Sequence, residues 1–218
     1  DQNISPSQVE ESGYILCWSA KWLGDAKVHY QSMQRGTPLA MLKGIHALLD
    51  EADTVVHFNG LKFDIPTLNK EFIQHRLPPP APYKQLDLYR AVKRILRMES
   101  MKLDSILKGL KIGEKVKHEG FPLWIACMKG DKAAWKRMEA YNRGDVTELE
   151  KLYLVLRPWI TTGPSYSAFK CGSTDYQSRG TQIAAQRSYT RYQCQACGGW
   201  FRGTATVTPR GEKRMVNV

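Results

Sequence analysis

The chain has 218 residues, with 32 Lys and Arg against 21 Asp and Glu and a formal net charge of +11. That length suits one domain of ordinary size and a small appendage, and a hydrophobic share of 42% with six Trp can fill a core. No run of about 18 apolar residues occurs, which excludes a membrane-spanning helix, and Asp1 to Pro6 has neither the basic start nor the apolar stretch of a signal peptide.

In chain order, Tyr14 to Leu23 is rich in apolar and aromatic residues and predicts a strand, with Lys27 to Tyr30 as its hairpin partner. Pro38 to Leu49 predicts a helix, because Leu39, Leu42, Ile45, Leu48 and Leu49 share one face. Thr54-Val55-Val56-His57-Phe58 is a short β-branched strand, ended by the turn signal Asn59-Gly60. Asp64 to His75 predicts a helix with Pro66 in its first turn. Leu86 to Leu96, Asp104 to Leu110 and Asp131 to Leu156 are further helical segments, the last with an expected break at Asn142-Arg143-Gly144. Strands alternating with crossover helices imply an α/β layered fold. A boundary at Thr161 to Ser165 divides a domain of residues 1–160 from a tail of residues 161–218. The tail holds eight Lys and Arg and two Asp and Glu, over half of the excess positive charge.

So positive a balance favours nucleic acid as partner. Of the five Cys, Cys17 and Cys127 lie in the apolar runs Ile-Leu-Cys-Trp and Ile-Ala-Cys-Met and read as buried small hydrophobes. The odd Cys count without a secretion signal points to a reducing cytoplasm.

Two segments carry chemistry. In His57-Phe58-Asn59-Gly60-Leu61-Lys62-Phe63-Asp64-Ile65-Pro66 a buried strand runs into a turn and then a helix, which puts the Asp64 carboxylate at the sheet edge. On spacing alone Asp64 reads first as a helix cap. In Tyr141-Asn142-Arg143-Gly144-Asp145 a phenol and a carboxylate lie four residues apart and share a helix face. A phenol so placed can orient a metal-bound water; alone, the pair also reads as a solvated face.

Together these segments resemble the second and third motifs of the DEDD-type 3′–5′ exonucleases, a branch of the ribonuclease H-like superfamily, with Tyr141 matching the Tyr variant of the third motif. The likeness spans residues 14–157. It implies a mixed sheet flanked by helices, and hydrolysis of phosphodiester bonds at DNA or RNA 3′ ends with two Mg²⁺ or Mn²⁺ ions about 4 Å apart. Carboxylate oxygens suit such hard cations. By this resemblance Asp145 binds the ion that holds the attacking water, Tyr141 orients that water, and Asp64 serves the second ion. Asn59 and Phe63 line the 3′-terminal nucleotide.

The family's first motif, Asp-x-Glu, is absent, and Glu51-Ala52-Asp53 has the order reversed. Either the chain derives from a longer active nuclease whose Asp-x-Glu strand lies upstream of Gln2, or it is a nuclease-inactive nucleic-acid-binding module. In the first case these residues lack a central strand. No polymerase segment accompanies the domain, which favours a stand-alone nuclease of phage or bacterial type.

The tail contains Lys170-Cys171-Gly172 and Cys194-Gln195-Ala196-Cys197-Gly198-Gly199-Trp200-Phe201-Arg202. It resembles a zinc ribbon with Cys171, Cys194 and Cys197 as ligands to Zn²⁺, degenerate because Ala168 stands where the first knuckle's other Cys is expected. Tyr189, Arg191, Tyr192, Trp200, Phe201 and Arg202 interleave rings with cations, so Trp200 and Arg202 are expected to hold substrate by stacking and phosphate contact. Filling the ribbon's small core is the other reading of Trp200 and Phe201.

Overall fold

The computed structural model describes residues 13–160, 173, 175–184 and 187–207. The chain divides into two compact units after Tyr153.

The first unit opens with β1 (Cys17–Lys21) and β2 (Val28–Ser32), paired antiparallel with Cys17 opposite Ser32. The helix α1 (Pro38–Glu51) follows, with Pro38 in the first turn, where its missing N–H costs nothing. The Thr37 hydroxyl caps this helix by accepting the Ala40 N–H at 3.2 Å. Met41, Leu42, Ile45 and Leu49 recur at helical spacing and form one core cluster with Trp18 and Phe72. Trp18 Nε1 donates to the Met41 carbonyl at 2.8 Å, so the indole fills the core without leaving its donor unpaired.

Next come β3 (Thr54–His57), α2 (Asp64–Gln74) and β4 (Lys84–Asp87). β3 and β4 pair in parallel, with His57 directly opposite Asp87. The expected helix from Leu86 is corrected here: Leu86 and Asp87 end a strand, and α3 (Leu88–Ile95) starts after them. The segment Lys-Gln-Leu-Asp has no β-branched residue, so its strand state comes from pairing with β3 rather than from local preference.

Three more helices follow: α4 (Leu103–Gly109), α5 (Phe121–Met128) and α6 (Lys132–Leu156), whose last three residues already belong to the second unit. Asp131 caps α6 by accepting the N–H groups of Ala133 and Ala134 at 2.8 and 3.1 Å. Leu123 and Cys127 of α5 form a second core cluster with Ala134, Trp135 and Met138 of α6. The expected break at residues 142–144 is a second correction, since α6 runs through them unbroken. Gly144 serves close approach instead: a Cβ there would lie 2.8 Å from Val116 Cγ2. The gap in the helix surface seats the loop between α4 and α5.

The class is therefore α/β, with both pairings of a mixed sheet present as two separate two-stranded pieces. Among the described residues, β1 and β3 each have a strand neighbour on one side only. No described helix is long and apolar enough to cross a membrane.

The second unit holds an antiparallel sheet of β5 (Tyr176–Ala184), β6 (Arg187–Cys194) and β7 (Trp200–Val207), with β6 in the middle. Register shifts interrupt both pairings, between Ser178 and Thr181 and between Tyr189 and Arg191.

Candidate active site

The turn after β3 is held by hydrogen bonds that converge on it. Asn59 takes a positive φ of 61°, which Asn tolerates better than most residues. Its N–H donates to Asp87 Oδ1 at 2.8 Å. The Ile65 N–H donates to the Gly60 carbonyl at 2.9 Å. The Gly60 N–H donates to His57 Nδ1 at 3.2 Å, and His57 Nε2 lies 3.3 Å from Gln85 Oε1. Both ring nitrogens of His57 thus face polar partners within the turn and the neighbouring strand. A Cβ at position 60 would come within 2.7 Å of His57 Cγ, so glycine lets the turn close on the ring.

Asp64 is the first residue of α2; the cap position is Phe63, and no side chain caps the helix. The cap reading of Asp64 is therefore corrected, and its carboxylate is left for another use. Partial burial raises the Asp64 pKa above its ordinary value and the nearby Asp87 charge adds to this, while His57 and the residue's own N–H act in the opposite sense. Asp87 is 6% exposed, and its Oδ2 accepts no hydrogen bond. Asn59 and Phe63 flank Asp64 in this turn. Phe63 is 55% exposed, with the Lys62 ammonium 5.2 Å from its ring.

A second group gathers on α6. Asp145 Oδ2 pairs with Lys115 Nζ at 2.8 Å, and the same ammonium donates to Tyr141 Oη at 3.3 Å. Asp145 Oδ1 is buried with no hydrogen-bond partner. Burial works against the charged form of Lys115, but the bond to Asp145 and that group's charge outweigh it and hold the pKa above its ordinary value. Burial raises the Tyr141 pKa, and the Asp145 charge adds to the effect. The Tyr141 ring lies 4.2 Å from His118 and 6.0 Å from Trp124 between centroids, an aromatic wall around the phenol. Lys115 is held in place from behind, because its N–H donates to Asp104 Oδ1 at 2.9 Å and Val116 sits in the notch at Gly144.

The structure thus brings Tyr141 and Asp145 together at Lys115, while Asn59, Phe63 and Asp64 follow one another along the turn that leads from β3 into α2. Among the described residues no hydrogen bond or ion pair joins Asp64 to Asp145, and no group of three or more His, Cys, Asp and Glu could hold a metal ion. In the second unit, Cys194 is buried and its carbonyl accepts the Gly198 N–H at 3.0 Å, a tight turn helped by the positive φ of Gly198. Cys197 lies within that turn, and Cys171 lies outside the described residues.

Asp87 and Lys115 were not among the residues singled out from the sequence. A signal existed for Asp87, an Asp directly before the apolar pattern of a helix. None existed for Lys115, which reaches Asp145 across thirty positions of chain.

A protein-family model described as the RNase H superfamily matches residues 16–157. A search of curated proteins gave no match. Among solved structures, the family B DNA polymerase of the hyperthermophilic archaeon Pyrobaculum calidifontis is similar, with a TM-score of 0.53 and 17% sequence identity. The match covers 62% of this chain and 21% of the polymerase, so the chain spans about a fifth of that protein's length. At that identity the likeness speaks for the fold alone.

Proposed function

Because the chain belongs to the RNase H superfamily, a group of nuclease-type domains, we propose that it is a metal-dependent 3′–5′ exonuclease acting on DNA or RNA ends, with Asp145, Tyr141 and Asp64 as catalytic residues. The observation that carries this reading is the pairing of Tyr141 and Asp145 on one face of α6, with an unpartnered carboxylate oxygen beside a phenol. The donor chemistry suits hard cations, since Asp145 and Asp64 offer only carboxylate oxygens. Mg²⁺ or Mn²⁺ held by Asp145 and Asp64 would supply the positive charge that activates water and stabilises a leaving 3′ oxygen.

The chain's own groups do the rest. Tyr141 Oη is fixed by Lys115 and is placed to hold a water against Asp145. The exposed Phe63 ring offers a stacking surface for a terminal base, and the Asn59 side chain a hydrogen-bonding group beside it. A two-ion centre needs further carboxylates, which the Asp-x-Glu pair of a longer polypeptide would supply. Zn²⁺ on the knuckle Cys194–Cys197 with Cys171 is part of the same proposal, as a structural ion.

A second reading is a nucleic-acid-binding module without hydrolysis. One observation favours it: Asp145 already has a cation partner in Lys115 at 2.8 Å. Release of 3′ nucleotides from an end-labelled oligonucleotide under Mg²⁺ or Mn²⁺ separates the two. The exonuclease reading expects release that is lost in Asp145→Ala and reduced in Tyr141→Phe. A polypeptide that carries the acidic pair and releases nothing under either metal leaves the binding module.

A further inference from the structure

The sheet of the second unit has two unlike faces. On one, Tyr192 and Phe201 stack with centroids 4.8 Å apart, and Tyr176 meets both edge-on at 5.4 and 6.0 Å. Cys194, of the same parity as Tyr192, is 1% exposed, so this face is the unit's own small core. Strand alternation puts Tyr189, Arg191, Trp200 and Arg202 on the opposite face. There the Arg191 guanidinium lies 5.6 Å from the Trp200 ring and the Arg202 guanidinium 4.8 Å from the Tyr189 ring. Trp200 is 55% exposed.

Arg191 and Arg202 are direct cross-strand partners. Like charges so opposed destabilise a sheet by a few tenths of a kcal/mol or more. No acid of the sheet relieves them, since β5, β6 and β7 contain no Asp or Glu. Arg191 further donates to the backbone carbonyl of Arg179 at 3.1 Å, which ties its guanidinium to β5. A local rule broken without a compensating acid marks a functional surface. Its complement is an anionic polymer with flat groups to lie on the rings.

We propose that the Tyr189–Arg202–Arg191–Trp200 face of this sheet binds single-stranded nucleic acid, bases stacking on Trp200 and phosphates meeting the paired arginines. The choice of polyanion rests on the nucleic-acid reading above, while the face itself is fixed by register and ring contacts. The proposal also divides the tail's aromatics: Trp200 faces ligand, whereas Tyr192 and Phe201 are structural.

The test is fluorescence anisotropy of a labelled fifteen-nucleotide oligo(dT) with the full 218-residue chain in chelator-free buffer to which no Mg²⁺ or Mn²⁺ is added, over a range of salt. Leaving out these two metals removes hydrolysis from the readout and leaves the structural Zn²⁺ in place, so an inactive nuclease leaves this experiment intact and a failed platform leaves the nuclease assay intact. Trp200→Leu is expected to weaken binding roughly tenfold, and Trp200→Phe to restore most of it, because the ring does the stacking. Arg191→Ala with Arg202→Ala is expected to flatten the log–log salt slope by about 1.4, about 0.7 for each phosphate no longer neutralised. Lys43→Ala with Lys93→Ala, equal in charge change but outside the sheet, should leave the slope unaltered. Unchanged binding in Trp200→Leu, or an equal loss of slope in the lysine pair, overturns the proposal.

Discussion

Asp87 connects the fold to the turn that carries Asp64, and Asp87→Ala measures how strongly. Two backbone groups lose their acceptor: the Tyr89 N–H at 3.0 Å, which is the cap of α3, and the Asn59 N–H at 2.8 Å in the turn. A lost cap costs about 1 kcal/mol, and a buried donor left unpaired about 1–3 kcal/mol. Removing a carboxylate whose Oδ2 has no hydrogen bond gives part of this back, so the net loss is about 2–3 kcal/mol. At about 2–4 °C per kcal/mol for a domain of this size, the thermal midpoint falls by about 4–12 °C. Far-UV circular dichroism melting reads it directly. Asp87→Asn keeps an acceptor oxygen and should lose less than half as much. A drop of under about 2 °C in Asp87→Ala, or equal drops in the two variants, refutes the idea that these two bonds hold the turn.

Asp64→Asn acts in the opposite direction. The raised pKa means that Asp64 favours folding below its ordinary value of 3.8 and loses that contribution as pH rises through the folded value. The variant is therefore expected to melt slightly higher than the parent at pH 7 and no higher at pH 3, a difference that scanning calorimetry at the two pH values checks. Lys115→Ala strips Asp145 of its cation and should increase Mg²⁺ affinity in isothermal titration while lowering the melting point without metal; unchanged affinity would show that the ammonium does not compete for that carboxylate. Leu107→Ala empties a site of 0% exposure and should cost about 2–5 kcal/mol in urea unfolding.

Legibility in the sequence followed the range of the interaction. α1 and α2 were visible because periodicity and terminal signals are local, and the two motif segments because their letters sit within ten residues of each other. β4 was not, since its four residues become a strand only by lying beside β3. α5 is eight residues, apolar on nearly every side and without a polar stripe, so no period announces it. Gly144 misled by its usual meaning: glycine mid-helix suggests interruption, whereas here it admits Val116. Of the site, Tyr141 and Asp145 were readable as a helical pair. The loop that brings Lys115 to them, anchored on Asp104, was not, because no spacing rule relates positions 104, 115 and 145.

The two half-sheets carry a practical consequence for handling the polypeptide. Among the described residues β3, Thr-Val-Val-His, pairs with β4 alone, and it carries no Lys, no Pro and no bulge to guard its other side. Parallel pairs of so few residues are also the least self-sufficient sheets. Purified at high concentration, these residues should zip edge to edge with their own copies, and light scattering that climbs with concentration and falls again on dilution would trace to that strand.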